Sequence, residues 1–261
     1  EACARLSAAA RPAAGCTAVP LAEAAADPQV QELVDLAGLG ELRGVTVHGD
    51  RARIGAMTTL GELEGRAEVR AQLPMLSAAA AGVADEVLRR VATIGGNIAP
   101  RVQRQLELPA VLVALGAELE LAGGGRDRVS ADALCDRDFE LAPEELIVAI
   151  HAPAQDGPWA YRKLTTNLDS YGIANLAIAG TADGRWSVAA SLGESIPQRL
   201  VRAEEALGAG DSSDPEVIAS EATSDLEAVD DALGSAAYRR RAVAAALEGE
   251  LRRLSGGQAG A

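Results

Sequence analysis

Ala92-Thr93-Ile94-Gly95-Gly96-Asn97-Ile98-Ala99 is the stretch of this sequence that bears most directly on its fold. Two adjacent glycines let the backbone pass flat against a bulky group, and Thr93 and Asn97 add short hydrogen-bonding side chains on either side. Amide donors can converge in such a turn without a Cβ in the way, which suits a phosphate or pyrophosphate. The alternative is an ordinary glycine turn, and the remainder of the chain has to decide between the two.

The composition bounds the class of protein. With 261 residues and a mass of 26.7 kDa, the chain can bury a substantial core, and we expect two or three subdomains. The net charge of −14 argues against nucleic acid as a partner, because a phosphate backbone would be repelled. No apolar run approaches the ~18 residues that a membrane span needs, and no secretory leader is recognisable after Glu1. We therefore expect an acidic cytoplasmic protein.

Neither a metal site nor an iron–sulfur cluster is predicted for this chain. Cys3, Cys16 and Cys135 lack CxxC spacing, which excludes an iron–sulfur cluster bound by this chain alone and argues against a disulfide framework. His48 and His151 lie far apart without acidic partners at ligand spacing.

Lys163 is the only lysine among 24 basic residues. Because the chain uses arginine elsewhere, this position favours a compact ammonium group, and Lys163 is a candidate site residue. The alternative is a surface ion pair.

The first 154 residues predict short elements of both kinds. Thr59 with Glu62 three residues on predicts a capping box and a short helix. We further predict an Ala-rich helix end, a strand with a pivot at Gly15, an apolar strand, a hairpin, two helices and two strands; in that order they span 1–10, 11–19, 30–36, 45–55, 75–91, 108–115, 117–121 and 144–151.

Gln155-Asp156-Gly157-Pro158 is the best linker in the sequence. It separates a domain of residues 1–154, with subdomains of about 1–50 and 51–154, from a second domain of residues 159–254. The sequence of the second domain predicts three strands followed by three helices, at residues 159–164, 174–182, 186–192, 200–207, 214–222 and 235–254. The Gly-rich tail of residues 255–261 predicts disorder. The pattern as a whole is mixed α+β.

Ordered motifs carry a resemblance to a known family. In the first domain they are Leu33–Leu36 followed by Leu39–Val45, Arg53–Thr59, Arg89 with Ala92–Asn97, and residues 108–121. In the second they are Lys163, Gly193 with Pro197 and Arg199, Ala203–Leu207, and Gly234–Arg239. These stretches resemble "VDL…LPELRGI", "RIGALTT", "RN-ATIGGN", "P-x-R…AEAAL" and "GSAEYRR" of the FAD-binding (medium) subunit of molybdenum hydroxylases, the xanthine and carbon monoxide dehydrogenase type.

The resemblance implies a fold and a cofactor. It implies an α+β chain with the two-subdomain FAD-binding fold of the PCMH or vanillyl-alcohol-oxidase type, followed by a C-terminal α+β domain with a small sheet and helices. FAD would lie between the subdomains, its pyrophosphate held by N–H groups of residues 15–17 and 95–97. The implied cofactor-binding residues are Ala14, Gly15, Cys16, Thr17, Thr93, Ile94, Gly95, Gly96, Asn97 and Lys163.

The sequence departs from the family pattern at this site. The first loop, "AGGTDL" in the family, reads Ala14–Val19, with Cys16 in place of a glycine and Ala18 in place of an aspartate. A Cβ at Cys16 crowds a ligand unless the loop moves. The "SPAADL" segment reads Pro100–Leu106, with large polar residues and Leu106 at the aspartate position, and Asn167 stands where an arginine is usual.

Three functions remain open on these residues. The first is a flavoprotein subunit that relays electrons or oxidises a small organic substrate, with molybdopterin and iron–sulfur centres on partner subunits. Arg101 and Arg104 would then offset phosphate charge. The second is a flavin-free enzyme that uses the same cleft for cyclisation, isomerisation or addition, with Lys163, Arg101 and Arg104 as candidate catalytic residues. The third is a non-catalytic binding partner, and a homodimer is compatible with each.

Overall fold

The structure is a computed structural model that describes residues 2–7, 9–17, 30–99, 107–165, 172–193, 195–210 and 213–255. The strands of this part of the chain are β1 (Ala10–Ala13), β2 (Glu32–Asp35), β3 (Val45–His48), β4 (Arg51–Gly55), β5 (Glu118–Ala122), β6 (Arg128–Ser130), β7 (Leu146–Pro153), β8 (Trp159–Leu164), β9 (Ala174–Gly180), β10 (Trp186–Ser191) and β11 (Gln198–Arg199). Its α-helices are α1 (Leu60–Gly65), α2 (Ala67–Gln72), α3 (Pro74–Ala81), α4 (Glu86–Arg89), α5 (Ile94–Ile98), α6 (Glu107–Ala114), α7 (Val201–Ala209), α8 (Pro215–Thr223) and α9 (Ala236–Ser255).

The first sheet is the parallel pair β1 and β2, with Ala10 opposite Glu32 and Ala13 opposite Asp35. Its apolar residues form a small core with Leu42, Met57 and Leu146, which come from the second sheet and its connections. The N-terminal subdomain therefore sits directly on the start of β7, and this contact forms one side of the cleft described below.

The second sheet is antiparallel, in the order β3-β4-β7-β5-β6. Gly49 makes the β3–β4 turn in the left-handed region (φ +62°), as the Gly49-Asp50 hairpin predicts. Because β3 and β4 pair in this sheet, the subdomain boundary expected near residue 50 falls inside the hairpin, and the change of sheet comes before β3. Helices α1–α3, α5 and α6 cover one face of the sheet in one large core.

The third sheet, in the order β11-β10-β9-β8, lies between two layers of helices. Helix α6 of the first domain packs on β9 and β10 from one side, and α7 and α9 pack on the sheet from the other. Every residue of β9 is therefore buried. Ala177, Ala179 and Ala189 belong to the same core as α6, so the two sides of the predicted linker share a continuous hydrophobic interface.

Two sequence predictions of helices are wrong. The expected helix at residues 1–10 is replaced by a single 3₁₀ turn, Cys3–Arg5, before β1. The expected helix 75–91 breaks after Ala81, because Ala84 adopts φ +48° and Asp85 caps a new short helix at the N–H of Leu88 (2.8 Å). The guanidinium of Arg89 satisfies the carbonyl oxygens of Val83 and Ala84 in the break (3.1 and 2.9 Å).

Most other elements lie where the sequence predicts them. The capping box of α1 is present, with Thr59 and Glu62 exchanging side-chain and backbone hydrogen bonds. The strands and helices beyond the linker begin and end within a few residues of their predicted bounds. Of the predicted tail, Ser255 ends α9, and residues 256–261 lie outside the described residues.

Candidate functional site

A cleft of about 210 Å³ lies between the N-terminal subdomain and the second sheet. The loop that follows β1 forms one wall, and the segment from Ala92 to Ala99 forms the facing wall. The cleft therefore brings together both loops that the sequence predicts as cofactor-binding, Ala14–Thr17 and Thr93–Asn97, although Thr17 and Thr93 are 76 positions apart in the chain. Within the second loop, Ile94 is fully buried and does not line the cleft.

The first loop is held close to the second by Gly15. A Cβ at this residue would overlap the carbonyl oxygen of Val91, immediately before the second loop, so only glycine allows this approach. Cys16 follows in the left-handed region (φ +53°), which glycine adopts without strain, and its Sγ donates to the carbonyl oxygen of Ala14 (3.5 Å). In the described part of the chain, the N–H groups of Gly15, Cys16 and Thr17 have no acceptor, and they remain available to a ligand.

The second loop is a short helix, α5, rather than the glycine turn that the sequence suggests. Thr93 caps it by accepting a hydrogen bond from Gly96 N–H (3.2 Å), and its backbone carbonyl accepts one from Asn97 N–H (3.0 Å). Ile94 N–H donates to Thr58 (3.0 Å) and Gly95 N–H to Ala56 (2.9 Å). The expectation that N–H groups of residues 95–97 hold a pyrophosphate is therefore corrected, since these groups already have protein acceptors.

The two glycines of α5 have different surroundings. A Cβ at Gly95 would lie 2.8 Å from the Cβ of Ala56 and 2.9 Å from its carbonyl oxygen, so this glycine serves the packing of α5 on the end of β4. A Cβ at Gly96 would meet only Thr93 Oγ1, at 3.1 Å. Both glycines line the cleft, but only at Gly95 does the backbone of a neighbouring strand end exclude a side chain.

Beyond α5, the cleft lining includes the start of β7 and the segment before it, which we call the apolar end of the cleft. Ala56, which contacts Gly95, donates its N–H to the carbonyl oxygen of Val148 in β7 (3.0 Å), and β7 leads back to Leu146 and Glu145. The large apolar side chains that line the cleft are those of Leu33, Leu36, Leu42, Met57, Leu141, Leu146 and Ile147. This lining fits a flat ring with apolar faces, such as a nucleobase.

Glu145 is the only carboxylate among the described residues that line the cleft. Its side chain is 2% exposed, and its Oε1 accepts a hydrogen bond from Arg126 Nε (2.9 Å). Its Oε2 accepts hydrogen bonds from Arg126 Nη2 and from the N–H of Ala142 (2.9 Å). The hydrogen bond from the Arg126 guanidinium lowers the pKa of Glu145, so the carboxylate is charged at neutral pH.

Lys163 lies in a different environment from the cleft. Its Nζ donates to the carbonyl oxygen of Gly82, at the C-terminal end of α3 (2.8 Å), and pairs with Glu107 Oε1 at the start of α6 (3.4 Å). The side chains of Lys163 and Glu107 are 12% and 4% exposed. Two acceptors in a buried position account for the compact ammonium group, and Lys163 is not among the described residues that line the cleft.

Sequence reasoning missed Glu107 and Glu145. Glu107 directly follows Leu106, where the family's aspartate was expected, so a carboxylate does stand at this end of the segment. Its Oε2 has no hydrogen-bond partner among the described residues, and its charge adds to burial in raising the pKa of Tyr161. The position of Glu107 between apolar residues, in Leu106-Glu107-Leu108-Pro109, is a sequence signal for a buried carboxylate. Acidic residues are nevertheless too common in this acidic chain to single out Glu107 or Glu145.

Other predicted residues are placed as follows. Arg101, Arg104 and Asn167 lie outside the described residues. Cys135 lies at the contact between the two domains, where burial raises the pKa of its thiol to about 11. No helix of the described chain is both long enough and apolar enough to cross a membrane.

Comparison with known proteins gives consistent matches over this architecture. The family model described as "FAD binding domain in molybdopterin dehydrogenase" matches residues 1–155. The carbon monoxide dehydrogenase medium chain of Afipia carboxidovorans is 35% identical over 182 residues, which are 67% of this chain and 63% of that relative. The nicotine 6-hydroxylase medium subunit of Paenarthrobacter nicotinovorans is 32% identical over 223 residues, which are 82% of this chain and 78% of that relative. The match therefore spans less than two thirds of the first relative.

Solved structures match nearly the whole chain. Carbon monoxide dehydrogenase from Hydrogenophaga pseudoflava superposes with a TM-score of 0.87 at 27% identity, covering 99% of this chain and 93% of that chain. Quinoline 2-oxidoreductase from Pseudomonas putida 86 gives a TM-score of 0.83 at 25% identity, covering 95% and 90%. The fold class expected from the sequence is confirmed.

Proposed function

The chain belongs to the family of FAD binding domains in molybdopterin dehydrogenases, and we propose that it binds FAD in the cleft as the flavin subunit of a larger oxidoreductase. The observation that carries the proposal is that one cleft joins the two loops that match the family's cofactor loops. A ligand in this cleft contacts residues from both subdomains, which suits an elongated dinucleotide.

The described residues fit FAD. The N–H groups of Gly15, Cys16 and Thr17, which have no acceptor among the described residues, supply donors for the pyrophosphate, and the hydroxyl of Thr93 can donate a further hydrogen bond while it caps α5. Gly96 leaves room beside them. The apolar end of the cleft then takes the adenine ring.

Bound FAD would supply the electron-transfer chemistry, and the protein would bind and orient it. The cleft residues separate into two groups by chemistry. Donors on the first loop would hydrogen-bond the diphosphate oxygens, and apolar side chains on β7 and β2 would exclude water from the base. Lys163 and Glu107 hold α3, α6 and β8 together, so in this proposal they stabilise the domain contact and make no contact with the cofactor.

The partners are part of the proposal. Relatives named as medium chains or medium subunits of dehydrogenases and hydroxylases support an assembly with molybdopterin and iron–sulfur subunits. No group of three or more His, Cys, Asp or Glu side chains in the described residues could hold a metal ion. A cytoplasmic location and a homodimeric arrangement remain predictions.

An absorption spectrum of the purified, untreated chain tests the function. We expect the two visible bands of a bound flavin, and chromatography after unfolding should identify the released flavin as FAD. If the protein is purified without cofactor, added FAD should bind saturably and its fluorescence should be quenched.

One result would contradict the proposed function. A folded, colourless protein that takes up no added FAD would rule out the proposed function and leave a flavin-free cleft. Circular dichroism on the same sample establishes that the protein is folded, so a negative result cannot be attributed to unfolding.

A further inference from the structure

Next to the apolar end of the cleft, an ion pair between the half-exposed Arg126 and the buried Glu145 holds the adjacent turn at several points. Arg126 and Glu145 make two charge-assisted hydrogen bonds, and the Glu145 side chain is almost fully buried. Arg126 Nη2 also donates to the carbonyl oxygen of Glu140 (2.9 Å), and its guanidinium lies over the ring of Phe139, 5.4 Å from the centroid.

The turn that this pair holds is part of the cleft wall. Glu145 Oε2 accepts the N–H of Ala142, so the ion pair contacts residues on both sides of Leu141. Leu141 and Leu146 line the cleft, and each lies within a few residues of one of these attachments. We define Arg126, Glu145 and the contacted residues 139–142 as the wall clamp.

The wall clamp and the donors that suit a pyrophosphate belong to different segments of the cleft lining. Those donors belong to Gly15–Thr17 and Thr93, beside α5, whereas Glu145 precedes β7 at the apolar end. A base placed against Leu141 and Leu146 contacts the wall that the clamp holds, whereas a phosphate bound by Gly15–Thr17 has its donors on another segment.

We propose that the wall clamp is a positioning device for the nucleoside half of the cofactor, which makes the cleft select the dinucleotide FAD over the mononucleotide FMN. The inference rests on the proposed function and adds to it a determinant of cofactor choice. Glu145 acts through Leu141 and Leu146, whose side chains contact the base, so it is a positioning residue.

Two adjacent glycines allow a matched test of the clamp. A Cβ at Gly124 would overlap the Glu145 carboxylate, whereas a Cβ at Gly125 would meet nothing within 4 Å. Neither residue has a positive φ, so alanine fits the backbone at both. Gly124→Ala therefore displaces the Glu145 carboxylate without removing its charge, and Gly125→Ala is its control.

The experiment measures the dissociation constants of FAD and FMN for the wild type, Gly124→Ala, Gly125→Ala and Glu145→Gln. We expect Gly124→Ala and Glu145→Gln to weaken FAD about tenfold while FMN changes by less than about twofold, and Gly125→Ala to change neither. Arg126→Lys keeps a positive charge and removes the planar guanidinium, so its FAD affinity should lie between those of the wild type and Gly124→Ala. If Glu145→Gln does not fold, Gly124→Ala and Arg126→Lys carry the test.

Two outcomes overturn the inference while the proposed function stands. Equal weakening of FAD and FMN would show that the clamp supports the fold as a whole, because a general loss of structure does not distinguish the two flavins. An unchanged ratio of the FAD and FMN dissociation constants, together with a lower melting temperature, would also show that the clamp supports the fold as a whole. A folded wild-type protein that binds neither flavin overturns the proposed function itself, which separates the two failures.

Discussion

The two loops of the cleft differ in a way that their sequences do not suggest. The second loop, Thr93–Asn97, matches the family pattern, yet the N–H groups of residues 94–97 already donate to protein acceptors. The first loop, Ala14–Thr17, departs from the pattern at Cys16, yet the N–H groups of Gly15–Thr17 have no acceptor in the described chain.

This difference separates two reasons why a motif can match. Gly95 and the backbone of α5 serve the packing and hydrogen bonding of the fold, and a substitution there acts first on stability. Lys163 belongs to the same class, because its ammonium group is used by Gly82 and Glu107. The first loop, in contrast, offers its donors to a ligand. Each prediction below tests one side of this comparison.

Lys163→Ala should have the largest effect, and it should act on stability. It removes the partner of a nearly buried carboxylate, which costs about 3 kcal/mol in the free energy of unfolding. The FAD affinity of the folded fraction should stay within about threefold of the wild type, since Lys163 is not in the cleft wall. Urea denaturation and FAD titration measure the two quantities.

The double variant Lys163→Met/Glu107→Leu is the control, because removing both charges should restore much of the lost stability. If Lys163→Ala has wild-type stability and no longer binds flavin, Lys163 belongs to the cofactor site, and its assignment to the fold is wrong.

Gly95→Ala should come second, again through stability. The new Cβ would lie 2.8 and 2.9 Å from atoms of Ala56, and overpacking of this kind costs about 1–3 kcal/mol. Thermal unfolding should show the loss, while FAD affinity below the transition changes little. A Gly95→Ala protein with an unchanged melting temperature and a weakened cofactor would place this glycine on the ligand side.

Much of the fold was accessible from the sequence because its signals are local. The Gly49-Asp50 turn and the Thr59–Glu62 box each specify their element without long-range information. The break near Ala84 was missed because it depends on a contact of the Arg89 side chain with two backbone carbonyls. A window of apolar periodicity does not register that contact.

The site was predicted in part, for a different reason. The residue types of the two loops identified both walls of the cleft, Ala14–Thr17 and Thr93–Asn97. Which N–H groups remain free depends on tertiary acceptors such as the carbonyl oxygens of Ala56 and Thr58, and these are not adjacent in the sequence. The pairing of Lys163 with Glu107 likewise joins residues 56 positions apart.

Gly96→Ala should have a smaller effect and act on the ligand. Its Cβ would meet only Thr93 Oγ1, at 3.1 Å, and alanine favours the helix by about 1 kcal/mol over glycine. The methyl group enters the cleft, so we expect FAD to bind about tenfold more weakly with the melting temperature nearly unchanged. Paired with Gly95→Ala, it divides one Gly-Gly motif into a fold residue and a ligand residue. The same loss of stability in both variants would remove that division.

Cys16→Gly should have the smallest effect on stability and a favourable one on binding. The left-handed conformation of Cys16 (φ +53°) costs roughly 1 kcal/mol for a residue with a Cβ, and glycine avoids this cost but loses a similar amount to unfolded-state entropy. The free energy of unfolding should therefore change by less than about 1 kcal/mol. FAD should bind more tightly, because the side chain leaves the cleft while the N–H groups of the first loop stay in place.

Ala84→Gly is the matched control, since Ala84 has a similar φ of +48° outside the cleft and should leave FAD binding unchanged. Weaker FAD binding in Cys16→Gly, with Ala84→Gly unaffected, would mean that the cysteine side chain itself contacts the cofactor, and the first loop would then bind through its side chains as well as its backbone.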